Sequence, residues 1–362
     1  MQKTVDSNLR ILIIGAGAVG VYIGGSLALH GHQVIFLTTP SSAQQLQQKG
    51  LRLNLLGRKE YLPNPKVYIT PHEALSLGEF DIGIFALKSY DTHTALANLQ
   101  PFREMIPPLL CLQNGVKNEE ILAAALGHEK VIAGTVTSSI SRSSIGEVTL
   151  ERLRGVGIAA DHPLSIQICA AFNQAGLNAL LFSDTASMKW SKLLTNLLAN
   201  ATSAILDMTP AEIYAHKGLY AIEAGQLHET LAVMAEKKVC PVNLPGTPVR
   251  TLVTAIQRLP GGLSRLLLSR AMGRGRGGKM PSLHLDLHSG KQQSEVSFLN
   301  GAVVQAGVST GIPTPINRML TETLSDLVEG RLPIETFSHK PEKFASHILS
   351  QTAKTGFFTP PD

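Results

Sequence analysis

The apolar positions near the N-terminus run on without alternating. Residues 10–14 read Arg-Ile-Leu-Ile-Ile, a run expected of a central parallel strand covered on both faces. Directly after it stand Gly15, Ala16, Gly17, Ala18, Val19 and Gly20, a GxGxxG element. Val21, Tyr22, Ile23, Leu27 and Leu29 then take helical spacing up to Gly31, and residues 33–37 read as a second strand. Further strands are predicted at 81–87, ending at Lys88, at 108–112, ending at Gln113 and Asn114, and at 131–136, 146–150, 155–159 and 179–182, with helices at 119–126 and 163–175. Strands alternating with helices predict a doubly wound α/β domain over residues 1–183. Long helical patterns with almost no strand signal predict an all-α domain over 184–332, and residues 333–362, weakly periodic and Pro-bearing, are expected to be a loosely held tail.

Composition narrows the class. The 362 residues are 44% hydrophobic and 16% charged, enough apolar material for full cores, which excludes a disordered chain. Cys111, Cys169 and Cys240 form neither a CxxC pair nor a metal-ligand spacing, so a reduced, cytoplasmic chain is expected, with Cys111 a buried inert thiol. Residues 11–29 carry no charge, yet five glycines interrupt them, so the stretch reads as a buried strand–turn–helix and no membrane partner is expected. The net charge of +5 is concentrated: residues 239–285 hold no Asp or Glu but include Arg250, Arg258, Arg265, Arg270, Arg274, Arg276 and Lys279. No stacking aromatic lies among them, so a solvated basic face or a lid near an anionic cleft is expected and nucleic acid is not.

Each glycine of the GxGxxG element has a mechanical role if a dinucleotide binds. Gly15 permits the tight turn, Gly17 lets backbone N–H groups approach a pyrophosphate, and Gly20 allows close helix–strand packing. The helix N-terminus adds partial positive charge. The alternative, a glycine turn that only packs a helix on a strand, is disfavoured by the position of the element inside a βαβ pattern. Residues 37–42 read Leu-Thr-Thr-Pro-Ser-Ser, with no acid for a ribose diol, and Lys88 ends a neighbouring strand. Both lean toward NADP(H) as cofactor.

The second domain opens with a Leu-rich stretch in which Lys192, Asn196 and Asn200 recur every four residues, predicting one polar stripe along a helix. Either a ligand or a solvated face accounts for it. His284 and His288 flank Asp286, but on a helix that Asp would point away from both and no further ligand pair is evident, so no metal site is expected.

Six segments, GAGAVG at 15–20, FALKSYDT at 85–92, QNGV at 113–116, KWSKLLTNLLAN at 189–200, PSLHLD at 281–286 and SEVSFLNG at 294–301, together resemble the ketopantoate reductase (2-dehydropantoate 2-reductase) family over residues 10–317. The resemblance implies a Rossmann-like N-terminal domain and a helical C-terminal domain of the 6-phosphogluconate dehydrogenase type. It also implies reduction of 2-dehydropantoate to (R)-pantoate with NADPH, a step of pantothenate and coenzyme A synthesis. By the same resemblance Lys192 is the general acid and Glu295 the active-site glutamate; on the residues' own reading, Ser294 as N-cap puts Glu295 in the first turn of a helix over 295–306, where the dipole favours a carboxylate. Asn114, Asn196, Asn200 and Ser282 match substrate-binding positions, and Asn114 also borders the cofactor. The implied partner is a small anionic 2-oxo acid, with a homodimer as the candidate assembly. Thr39 stands near a position where the family often has an arginine, and Glu295-Val296-Ser297 replaces a common Glu-x-Asp pattern. A paralogue acting on another 2-oxo acid or ketone, and a non-catalytic NADP-binding regulator, therefore stay open.

Overall fold

The structure, a computed structural model, describes residues 8–276 and 279–353. Backbone packing divides the chain into two units: one runs to Lys189 and takes in Asn243–Thr247, and the other comprises Trp190–Val242 and the chain from Pro248 onward. The boundary falls within the helix Thr185–Leu197.

Among its described residues the first unit contains twelve strands: β1 (Arg10–Ile14), β2 (Gln33–Leu37), β3 (Leu51–Leu55), β4 (Arg58–Leu62), β5 (Lys66–Tyr68), β6 (Ile82–Phe85), β7 (Leu109–Cys111), β8 (Val131–Val136), β9 (Ser139–Ser144), β10 (Glu147–Arg152), β11 (Val156–Ala159) and β12 (Ala179–Phe182). Eight of them form a sheet in the order β12-β11-β8-β7-β6-β1-β2-β5, parallel throughout except where β8 meets β11. The apolar run of β1 explains why. Ile11 and Ile13 enter one buried core with Tyr22 and Phe36, while Leu12 and Ile14 enter a second with Ile35 and Phe85. A strand with successive side chains in two different cores is covered on both faces, as a parallel sheet requires. The strand order reverses between β1 and β6, which makes the carboxyl ends of these strands the crevice of the sheet.

A second sheet, β4-β3-β10-β9, was not foreseen in the sequence. The helix Ala18–Leu29 packs between the two sheets, and paired glycines allow it. A Cβ on Gly24 would fall 2.8 Å from the Phe36 ring, and one on Gly25 2.7 Å from Leu53 of β3. These close approaches account for the interruptions in the uncharged stretch. No helix among the described residues is long and apolar enough to cross a membrane.

The second unit is helical throughout its described residues, around the 20-residue helix Lys217–Glu236. The tail expected at 333–362 needs correction. Helix Pro341–Ala353 packs on Lys217–Glu236 with Phe337, Phe344, Ala345 and Ile348 buried, because four apolar positions meet one face of the bundle. Residues 354–362 lie outside the described residues. In the basic segment, helices Val249–Arg258 and Gly261–Arg276 carry the six arginines and Lys279 follows them, with Arg265 bonding Ala215 O at 2.7 Å and Arg250 bonding Pro241 O at 3.2 Å. The side chains of Arg274 and Arg276 lie outside the described residues.

Candidate active site

The glycine turn is built at the carboxyl end of β1. Gly15 has φ +103° and donates its N–H to Leu37 O at 3.0 Å, bonding the turn to the end of β2. A Cβ at Gly20 would lie 1.9 Å from Gly15 O, so only glycine fits there. Gly17 is different. It caps the helix Ala18–Leu29 at φ −76°, and a Cβ added to it would meet nothing nearer than Ala86 O at 4.0 Å. The protein's own packing therefore does not require glycine at 17. The first turn of this helix carries no acid, and its leading N–H groups lack intrahelical acceptors. Ala16, Gly17, Ala18, Val19 and Gly20 thus offer backbone donors at a helix N-terminus with room above Gly17, a fit for a pyrophosphate.

After β2, Thr39 caps the helix Pro40–Lys49 and donates to Ser42 Oγ at 3.1 Å. No carboxylate stands in that first turn either. Lys88, half-buried, follows β6 and precedes a 3₁₀ turn at Ser89–Asp91. A side-chain network locks this segment to the turn after β7. Gln113 Nε2 donates to Leu87 O and to Thr92 Oγ1, Ser89 Oγ donates to Asn114 O, and Asn118 Nδ2 donates to Asn114 O at 2.6 Å. Lys88 and Asn114 are therefore held at adjacent strand ends. Cys111 is buried, and burial pushes its thiol well above the usual range, in keeping with an inert role.

Lys189, not singled out in the sequence, is buried, donates to Gln113 O at 3.0 Å and Gly134 O at 3.1 Å, and forms an ion pair with Glu119 Oε1 at 2.6 Å. It anchors the start of the helix that continues to Lys192. Its only sequence signal is a charge placed between Met188 and Trp190, both buried.

The stripe expected through Lys192, Asn196 and Asn200 is not one helix. Helix Thr185–Leu197 ends, Ala199 turns left-handed at φ 49°, and a new helix runs Asn200–Leu206. Glu223 makes the break. Its carboxylate accepts from Ala199 N at 2.7 Å, from Thr202 Oγ1 at 2.7 Å and from Tyr214 OH at 3.2 Å, taking the amide from the helical ladder. Burial raises the Glu223 pKa against these bonds.

The break reorients Asn200. Its Nδ2 donates to Asn196 O at 3.0 Å and its Oδ1 accepts from Leu283 N at 3.1 Å. Asn196, Asn200 and the start of the Ser282–His288 helix are thereby brought together, with Ser282 exposed and Lys192 half-buried. Asn200 holds this geometry through hydrogen bonds of its own.

Glu295 is buried, but the α-helix expected at 295–306 is corrected. A 3₁₀ turn spans Glu295–Phe298, with Ser294 Oγ accepting from Val296 N at 3.2 Å, and the α-helix is Asn300–Thr310. The reason is Asn300, whose Nδ2 donates to Gln226 Oε1 and Asn317 Oδ1 inside the bundle. Gln226 in turn donates to Leu197 O at 3.3 Å. One hydrogen-bonded bridge therefore links the segment after Glu295 to the helix bearing Lys192.

Sequence spacing offers His284 and His288 no third partner; the fold supplies one. Asp286 pairs with Lys291, whereas Asp207 Oδ1 meets His284 Nε2 at 2.7 Å.

Two family models match the chain: "Ketopantoate reductase PanE/ApbA" over residues 11–160 and its C-terminal counterpart over 184–328. A 2-dehydropantoate 2-reductase of Archaeoglobus fulgidus is 30% identical over 329 residues, covering 89% of this chain and 97% of that protein. A PanE/ApbA family ketopantoate reductase from Ralstonia eutropha superposes with TM-score 0.75 at 27% identity, over 89% of this chain and 99% of that one. D-mandelate dehydrogenase, solved with NADH and anilino(oxo)acetate, shares the fold at TM-score 0.73 and 20% identity, over 89% and 99% of the two chains. The sheet unit with its glycine turn, the helical unit and these matches make the chain an oxidoreductase of the ketopantoate reductase family.

Proposed function

We propose that the chain reduces the ketone of 2-dehydropantoate to the hydroxyl of (R)-pantoate, with NADPH as reductant, in pantothenate and coenzyme A synthesis. The observation that carries this reading is the hydrogen-bonded coupling, through Asn200, of the Asn196 backbone on the helix that bears Lys192 to the start of the Ser282–His288 helix, in a chain of this family. Bound NADPH supplies a hydride to the carbonyl carbon. As the carbonyl π electrons move to oxygen, Lys192 stabilises the developing alkoxide and donates a proton, its N–H bond breaking as the O–H bond forms. Glu295 orients the Lys192 ammonium and accepts a hydrogen bond from the substrate hydroxyl. Asn114, Asn196 and Ser282 bond the carboxylate and carbonyl, and Asn200 holds Asn196 and Leu283 in register. The turn at residues 15–20 receives the pyrophosphate. The lack of an acid after β2, with Lys88 at the end of β6, favours a 2′-phosphate.

Steady-state rates with 2-dehydropantoate and other branched 2-oxo acids, each with NADPH and NADH, test the assignment. Fastest turnover of 2-dehydropantoate with NADPH is expected, and Lys192→Ala should lower kcat by ~10²-fold or more. Tight NADPH binding with no turnover of any acid would identify a regulator, and wild-type kcat in the Lys192 variant would remove that residue from the chemistry. Ser297 and Thr39 favour a second reading, a paralogue preferring another 2-oxo acid or NADH, as in the mandelate dehydrogenase complex with NADH. The same rate panel separates the two.

A further inference from the structure

Three segments distant in sequence meet at one end of the helix Asn200–Leu206. Asp207 ends that helix in a left-handed conformation at φ 51°. His284 and His288 sit one turn apart on the helix Ser282–His288, their rings stacked with centroids 4.1 Å apart and planes 22° from parallel. His339 donates its backbone N–H to Leu206 O at 2.7 Å and places Nε2 3.4 Å from Asp207 Oδ2.

We propose that Asp207, His284 and His288 form a binding site for a borderline divalent cation of the Zn²⁺ class. One ligand atom from each of the three residues lies within 4.8 Å of the other two. A tetrahedral zinc with bonds of about 2.0–2.2 Å needs its ligand atoms roughly 3.4 Å apart, so small side-chain rotations close the set. The exposed His288 has freedom to make them. The buried partner is not satisfied by protein alone. His284 is 8% exposed, and its Nδ1 has no hydrogen-bond partner. Histidines spaced i, i+4 on a helix present nitrogens on one face, the arrangement that suits a metal.

Donor chemistry sets the class of ion. Two imidazoles and one carboxylate suit zinc and its neighbours, whereas Mg²⁺ and Ca²⁺ prefer all-oxygen shells. The exposure of His288 leaves water available for the remaining position of a four-coordinate ion. His339, on the other carboxylate oxygen, orients Asp207 from outside the ligand set. A bound ion would fasten the Ser282–His288 helix to the end of Asn200–Leu206. The proposal does not depend on the reductase reading.

The test uses full-length, tag-free protein stripped with a chelator and titrated calorimetrically with ZnCl₂, with MgCl₂ in parallel. Stoichiometric Zn²⁺ binding is expected, with none for Mg²⁺, and Co²⁺ should give the visible bands of a four-coordinate nitrogen–oxygen site. Because His288 is exposed, His288→Gln should fold as the parent does, and it should weaken Zn²⁺ by ~100-fold or more, while His339→Gln should cost about tenfold. Zn²⁺ should raise the melting temperature of the parent but not of His288→Gln. Absence of saturable Zn²⁺ binding, or binding unchanged in both His288→Gln and Asp207→Asn, would overturn the site and leave Asp207–His284 a plain hydrogen-bonded tether.

Discussion

Replacing Gly17 with alanine separates ligand recognition from folding within one turn. The residue sits at φ −76° and ψ −172°, backbone that any L-residue adopts, and the added methyl approaches nothing closer than Ala86 O at 4.0 Å. Losing glycine entropy in the unfolded chain should stabilise by about 0.4–1 kcal/mol. Placing alanine at the N-cap should cost on the order of 0.5–1 kcal/mol. The two nearly cancel, so the melting temperature should move by no more than about 2–4 °C. Cofactor binding has no such compensation. If the pyrophosphate lies against Gly17, the methyl pushes it off at least one charge-assisted N–H bond worth about 1.5–3 kcal/mol, a loss of roughly 10–150-fold in NADPH affinity. Gly20→Ala is the contrasting control. Its methyl would overlap Gly15 O at 1.9 Å, so stability itself should fall by several kcal/mol, on the order seen when a packed site is overfilled. Calorimetric NADPH titration and thermal melting of both variants decide the matter. A Gly17→Ala protein that binds NADPH as tightly as the parent would show that this turn does not receive the pyrophosphate. One that unfolds would show that glycine is needed there for packing.

Two further outcomes follow from the same geometry. Lys88→Glu should weaken NADPH far more than NADH, because only the former carries the 2′-phosphate, and equal losses in the two KM values would rule out the phosphate contact. Burial pushes the Glu229 carboxyl up to about 7, although it accepts from Ile316 N, Asn317 N and Asn317 Nδ2 at 2.7–2.9 Å. Between about pH 4.5 and 7 the folded chain then holds a proton that the unfolded chain has released, so this group's contribution is present in acid and fades as pH rises through 7. Parent minus Glu229→Gln stability should fall across that window by on the order of 1–3 kcal/mol, and a flat difference would place the carboxyl's titration elsewhere.

What the sequence revealed, and what it concealed, follows from the range of the interactions involved. The β1 run, the glycine turn and the strand ends at Lys88 and Asn114 were readable because each depends on neighbours in the chain: two-faced burial writes a continuous apolar run, and a tight turn writes glycine. The second sheet left a weaker trace. β3 does alternate, with Leu51 and Leu53 buried around an exposed Arg52, but β4 is mostly polar and solvent-facing, so no apolar periodicity marks it. The helix break at Ala199 left none, since alanine is the best helix former and its neighbours keep the helical period. What breaks the helix is Glu223, 24 residues away, whose buried carboxylate takes the Ala199 amide. The 3₁₀ turn at Glu295 has a similar origin, because Asn300 must reach Gln226 and Asn317 from other helices. Asp207 joins His284 from 77 residues away and Lys189 joins Glu119 from 70 residues away (189 − 119), so neither pairing could be read from spacing. In each case a polar side chain inside an apolar element was the visible sign, and its partner was fixed only by the tertiary fold. Lys192, Asn196 and Asn200 illustrate the consequence. Their four-residue spacing located the right segment, yet the buried carboxylate turned Asn200 away from the expected stripe and onto the backbone of Leu283, where it holds the Ser282 helix in place.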